Sequence, residues 1–266
     1  MRKKLLLLSA ANVIVVLCSS PALALDPMGP PVAGLDKGQW SVGGEYSMSS
    51  MDLQAVHGRY SDIAPEGVSP FYMSDVEMDK YYLNIGYGVH DKWEAFLRLG
   101  MVGGVDGEIG GIIGDPYPGD FESGSDTAIG LGTKVTFFTD TDNNVTWGGL
   151  AQISWVEVDG SFMLPTYTLT GDHDTEIIEA QLAVGPTVEV TDDIRVYGGP
   201  FLHFVDGKYE TCDDDGYEAI YDLEDRSYFG GYAGAQVDVA DNMVLNLEYM
   251  YTDDADGIGA SIICKF

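Results

Sequence analysis

The chain has 266 residues, with 43 Asp and Glu against 13 Lys and Arg, a formal net charge of −30 at pH 7, and 45% hydrophobic residues. That balance argues against nucleic acid as a partner, because phosphate contacts need clustered basic groups. An aromatic content of 11% argues against a disordered chain.

The first 24 residues read as a secretory signal peptide. Arg2, Lys3 and Lys4 precede an apolar stretch from Leu5 to Leu17, and Ala22 and Ala24 form a small-x-small cleavage site. A transmembrane helix would need ~20 apolar residues, and this run is shorter and broken by Ser9 and Asn12. Lipidation at Cys18 fits poorly with the bulky Leu17 before it. With the leader go three of the basic residues and none of the acidic ones. Residues 25–38 are expected as a periplasmic segment and 39–266 as a barrel. Beyond the leader no apolar run is long enough for a helical span.

Period-two alternation then recurs in ten stretches: Gln39 to Met48, Met78 to Val89, Trp93 to Gly103, Thr127 to Phe138, Val145 to Val158, Glu176 to Val190, Ile194 to Val205, Tyr228 to Val239, Met243 to Tyr251 and Gly257 to Phe266. Tight turns are expected at His90 to Lys92, Thr139 to Asn144, Thr191 to Asp193 and Ala240 to Asn242. Long loops are expected at Ser49 to Glu77, Gly104 to Asp126, Asp159 to Thr175 and Asp206 to Ser227, with a shorter one at Thr252 to Asp256. Short connections on one side and long ones on the other are the layout of an outer-membrane barrel.

Alternation alone does not say which face points inward, and a soluble β-sandwich or a lipocalin-like barrel binding an apolar ligand alternates too. Glycines and aromatics favour the membrane reading. Gly86, Gly88, Gly130, Gly132, Gly230 and Gly234 crowd the polar face, as a narrow lumen holding long charged side chains requires. Trp40, Tyr46, Tyr81, Tyr87, Trp93, Phe137, Trp147, Trp155, Tyr249, Tyr251 and Phe266 lie near strand ends on the apolar face, where aromatic girdles form at the two membrane interfaces.

The final strand "IGASIICKF", the preceding "NLEYMYTDD" and the turn-strand units "YGVHDKWEAFLRLG" and "VTDDIRVYGGPF" resemble those of small, monomeric bacterial outer-membrane barrels of the OmpA-like and porin-like group. The resemblance covers the mature chain as architecture and rests on motifs generic to the class. It implies an all-β, antiparallel, up-and-down transmembrane barrel in the cell outer membrane of a Gram-negative envelope, surrounded by lipid. It further implies that the barrel-assembly machinery reads the terminal Phe266.

The polar face carries both signs of charge: Lys80, Arg98, Lys134, Arg195 and Lys265 with Glu45, Glu94, Glu179, Glu189, Asp238 and Glu248. In a narrow interior such groups must pair, so an ion-paired lumen is expected, with a gated pore or proton path as the functional version. The acidic stretch Glu210 to Asp225 offers oxygen ligands for a hard cation at Asp213, Asp215, Asp222 and Glu224, together with Asp214 and Asp225. Its spacing fails the EF-hand pattern, since Thr211 falls at the first ligand position, and a solvated loop is the plainer reading. An external ligand or cation there is the one small partner suggested, and no cofactor is expected. "GDHDTE" places Asp172 and Asp174 beside His173, an arrangement that could orient a general base, and ten-stranded omptin-type proteases use Asp and His near the rim. The surrounding sequence does not match that family, and a non-enzymatic role is expected: structural, surface-interacting or a narrow passive pore. Ten strands are expected, or eight if the first and one other are demoted. Cys212, in the acidic loop, and Cys264, in the last strand, are too far apart in this arrangement to be bridged.

Overall fold

The computed structural model describes residues 25–60, 70–110, 119–164, 169–214, 216 and 218–266. The expected leader, 1–24, and the candidate ligand Asp215 lie outside the described residues. No helix among the described residues is long and apolar enough to cross a membrane. The described residues form strands: β1 (Trp40–Tyr60), β2 (Phe71–His90), β3 (Trp93–Gly110), β4 (Gly119–Ser123), β5 (Asp126–Asp140), β6 (Val145–Leu164), β7 (Leu169–Thr191), β8 (Ile194–Asp213), β9 (Glu218–Asp225), β10 (Phe229–Ala240), β11 (Met243–Thr252) and β12 (Ala255–Lys265).

All pairings are antiparallel and the sheet closes on itself, but it closes twice at different heights. In the lower tier β5 pairs with β3 and β6, β10 pairs with β8 and β11, and β12 returns to β1. That is a ring of ten. In the upper tier β4 takes the place of β5, and β9 pairs directly with both β8 and β1, which makes a ring of eight. The change happens because the β11–β12 connection is short. Thr252 Oγ1 accepts the Ala255 N–H at 2.8 Å, so these two strands stop and β9 closes the gap. β1 adapts with a register shift between Met51 and Leu53, where its partner changes from β12 to β9. Asp52, the bulged residue, gives its N–H to Asp254 O at 2.9 Å. A closed ring leaves no unpaired sheet edge at either height.

The four long loops expected from the sequence are therefore mostly strand. β1 runs on to Tyr60 and β2 begins at Phe71, β6 and β7 pair as far as Leu164 and Leu169, and "GDHDTE" lies on β7 rather than in a loop. The alternation continues through these segments with its sense reversed. Along β7, Ile178, Leu182 and Val184 face outward while Glu179 and Gln181 are buried; five residues earlier Asp172, Asp174 and Glu176 face outward while His173, Thr175 and Ile177 are buried. No residue is inserted between the two patterns. The adjacent pair Ile177 and Ile178, one in and one out, marks the crossover. In β3 the exchange is made instead by a bulge at Gly103 and Gly104, which turns the apolar odd-numbered residues from outside (Leu97, Leu99) to inside (Val105, Ile109); the φ of Gly104, +79°, is open to glycine at no steric cost.

The lower tier carries an exposed apolar band of residues such as Leu83, Leu97, Leu131, Ile153, Leu182 and Ile262. Trp40, Tyr87, Trp93 and Trp147 border it at the turn end, and Tyr46, Tyr81, Trp155 and Tyr249 at the other. The rim aromatics are anchored by polar tips: Tyr46 Oη donates to Asp79 at 2.9 Å, Trp155 Nε1 to Glu176 at 2.9 Å, and Tyr249 Oη to Asp256 at 2.8 Å. An apolar outer band between aromatic girdles on a closed antiparallel barrel is the construction of an outer-membrane protein.

The upper tier is built the other way round. Its interior is filled by Leu53, Phe71, Met73, Val76, Val105, Ile109, Phe121, Val158, Phe162, Ile177, Tyr209 and Leu223. Eight strands leave an interior just wide enough for side chains to fill.

Candidate functional site

Three compartments stack inside the ring below that apolar core. At the top of the lower tier lies a buried ionic cluster. Lys80 Nζ is 2.6 Å from Glu179 and 3.1 Å from Asp26, Arg98 is 3.1 Å from Glu45 and 3.8 Å from Asp26, and His203 lies 3.8 Å from both Glu179 and Asp225. Lys80 has no solvent-exposed surface. The cation of Arg98 also stacks over Phe96 and Tyr82, 5.2 and 5.7 Å from the ring centroids.

The middle compartment holds the N-terminal segment. Residues 25–35, expected as part of a periplasmic segment, lie within the barrel, where lumen side chains claim their backbone groups, and Asp36, Lys37 and Gly38 are exposed at its end. Glu248 accepts the N–H groups of Met28 and Gly29 at 2.7 and 2.8 Å, Glu94 accepts that of Gly34 at 2.8 Å, and Thr136 accepts that of Ala33 at 3.0 Å. Arg98 donates to the Pro27 carbonyl and Lys265 to that of Gly34. Three glycines make the room: a Cβ on Gly259 would overlap the Pro27 ring, one on Gly88 the Asp36 carbonyl and one on Gly148 the Pro31 carbonyl.

Beside and below this segment is a cavity of about 310 Å³, lined by Glu94, Lys134, Arg195, Gln236, Asn246 and Lys265 among others. At the rim Arg195 holds Asp238 at 2.8 Å, with Glu189 at 3.7 Å. Lys134 sits over the Phe96 ring at 5.7 Å.

The charged residues picked out on the polar strand face thus all point into the lumen region, but they do not form one network. Lys80 with Glu179 and Arg98 with Glu45 make the central cluster, Arg195 with Glu189 and Asp238 a separate rim group, and Glu94 and Glu248 serve the N-terminal segment. Asp26 joins the cluster without any signal of strand alternation, because it lies outside every strand, whereas His203 shares the inward parity of Arg195 on β8 and was missed only as an uncharged residue type.

The other candidates separate. Asp172 and Asp174 face outward whereas His173 faces inward, because neighbours on a strand point to opposite faces. The His173 ring lies instead 3.3 Å from Ser123 Oγ and 3.1 Å from Thr175 Oγ1, and burial pulls its basicity down. Asp222 lies near His57 and Arg59, at 3.6 and 3.8 Å, and pairs across the sheet with Lys208, while Glu224 pairs with Asp206 and Asp213 with Gly171. Among the described residues no group of three or more metal-ligating side chains converges. Cys212 and Cys264 are both free. Phe266 ends the chain beside Trp40, exchanging two backbone hydrogen bonds of 3.0 Å with it.

Outside, the upper tier sets carboxylates directly opposite one another. Asp106 faces Glu77 on one side and Glu122 on the other, Glu108 faces Asp120, and Asp174 faces both Asp159 and Glu210. Burial and neighbouring carboxylates raise the affinity of Glu77 and Asp174 for protons. Like charges so placed destabilise a sheet, so the arrangement is maintained against a local cost.

No protein-family model and no curated protein matches the sequence. Solved structures do match in shape. The outer membrane protease OmpT from Escherichia coli aligns with a TM-score of 0.52 at 10% identity, covering 85% of this chain and 94% of that one. The outer membrane protein OprG from Pseudomonas aeruginosa aligns at 0.46 and 11%, covering 88% and 98%. The attachment invasion locus protein Ail of Yersinia pestis aligns at 0.34 and 13%, covering 86% and 99%. At such identities the likeness is one of fold, and the chain has the fold of the bacterial outer-membrane β-barrels.

Proposed function

We propose that the protein is a non-conducting, monomeric outer-membrane barrel whose work is done at the cell surface by its acidic upper tier. The observation that supports this reading is the apolar core of the eight-stranded ring, which fills the lumen above the ionic cluster with side chains such as Phe121, Phe162, Tyr209 and Leu223. A solute entering the lower cavity meets first the N-terminal segment, then fully buried charges, then a dry core. Open aqueous channels belong to much wider barrels. A rigid scaffold that carries rows of outward carboxylates suits a role in surface interaction, with a cationic partner drawn by long-range attraction.

A catalytic role for His173 is not part of this reading, because its ring is directed at two hydroxyls and away from the flanking aspartates. Barrel assembly through Phe266 fits its position at the membrane rim.

Planar bilayers test the closure. The purified protein is expected to give no single-channel steps, and removal of residues 25–36 is expected to leave the bilayer silent, since the core above remains. Steps from the intact protein would overturn the reading. For the surface role, cells displaying the protein are expected to hold polylysine-coated beads better than cells displaying a variant with Asp106, Glu108 and Asp174 changed to asparagine. Equal retention would count against it.

A further inference from the structure

The buried ionic cluster is short of positive charge. Four carboxylates, Asp26, Glu45, Glu179 and Asp225, share two permanent cations, Lys80 and Arg98, and the neighbouring Lys134 and Glu248 add one charge of each sign. His203 lies between Glu179 and Asp225, and even as an imidazolium it would leave one negative charge over. The deficit is local: Glu179 Oε2 and Asp225 Oδ2 each stand 3.8 Å from the His203 ring, and the other donors beside Asp225 are neutral backbone N–H groups. Buried carboxylates in that condition are costly unless a cation reaches them.

Leu25 is completely buried, with Gly257 and Met250 beside it. It immediately precedes Asp26, whose carboxylate already touches Lys80, and neighbouring Cα atoms are only ~3.8 Å apart. In an uncleaved chain the Leu25 nitrogen is a neutral amide. The small-x-small site at Ala22 and Ala24 puts the expected leader cleavage at this very bond.

We infer that hydrolysis of the Ala24–Leu25 peptide bond creates the missing cation of the cluster. A signal peptidase spends one water: the leader departs with a new carboxylate on Ala24, and the Leu25 amine keeps the other half and takes up a proton. The resulting α-ammonium faces Glu179 and Asp225, completes the charge balance, and fastens residues 25–36 inside the lumen. Leader removal is then a precondition for fastening the segment, because the fastening group does not exist before cleavage.

Three measurements on protein extracted from outer membranes test this. Mass spectrometry of the mature N-terminus is expected to find Leu25; any other first residue overturns the inference. A reagent selective for α-amines is expected to label the folded protein at least ten-fold more slowly than boiled protein, and equal rates overturn it. Burial alone would also slow labelling, so charge is tested separately by inserting one alanine between Ala24 and Leu25, which displaces the amine. The insertion is expected to lower the temperature at which the folded gel band converts to the unfolded one. Asp225→Asn is expected to recover that loss in the extended chain and to give no gain in the normal one. The same response to Asp225→Asn in both chains would show that the amine and the carboxylate do not interact.

Discussion

The two tiers of this barrel use the same backbone and opposite side-chain logic. In the lower tier Glu179 and Gln181 are buried while Leu182 and Val184 face outward; in the upper tier of the same strand Ile177 is buried while Asp174 and Glu176 face outward. The difference shows that the solvent outside decides the pattern. Lipid cannot hydrate a charge, so ionised groups there turn inward and must find each other. Water rewards them outside, and the interior reverts to the dry packing of a soluble domain. The change from ten strands to eight at the same height supports both arrangements, because a narrower ring can be filled by apolar side chains alone.

Substitutions that violate one tier's rule and satisfy the other's can break or sharpen this contrast. The largest effect is expected at the ionic cluster. Lys80→Ala leaves Glu179 and Asp26 without their nearest cation and should cost about 3–5 kcal/mol, read as a lowered urea midpoint in detergent micelles. Loss of less than about 1 kcal/mol would mean that the cluster is hydrated. In the upper core Leu223→Ala should cost about 2–5 kcal/mol, whereas a lipid-band truncation at Leu182 should cost far less, since lipid fills the space. Similar losses at the two sites would erase the distinction between the tiers.

A charge on the outer face separates them next. Leu182→Arg should cost about 2–4 kcal/mol, as for a basic side chain near the middle of a membrane, while Asp174→Arg on the same strand should be neutral or stabilising. Reconstitution into vesicles followed by urea titration compares the pair directly. Smallest is the effect of pH. Asp174 and Glu77 bind protons more tightly in the folded protein than their ordinary values, so the folded state gains stability as pH falls through those raised values toward the unfolded ones. Mild acid should therefore stabilise the upper tier modestly, and Asp174→Asn together with Glu77→Gln should flatten that response. A stability that falls on mild acidification would contradict the upward direction of these shifts, which burial and neighbouring carboxylates both cause.

Much of this was legible in the chain. Alternation with a period of two, short and long connections in turn, and rings near strand ends suffice for a transmembrane barrel of ten strands, because each follows from local geometry and the position of a lipid boundary. The charged lumen residues were legible for the same reason, since parity along a strand assigns a face. Parity does not assign a partner. Arg195 meets Asp238 across a register that only the closed sheet defines.

The long connections were hidden because β strands such as "GDHDTE" present polar residues or glycine on both faces, which reads locally as loop. Only pairing with neighbouring strands makes them extended structure, and the same pairing divides Asp172 and Asp174 from His173. What the chain alone settles is the solvent on each side of the lower barrel wall, because period-two alternation separates two faces and the placement of glycines and aromatic rings says which of them meets lipid. The contraction to eight strands, the entry of residues 25–35 into the lumen and the place of Asp26 beside Lys80 were settled only in the folded chain. These depend on which strand stops first and on the space left inside, and no local pattern records either.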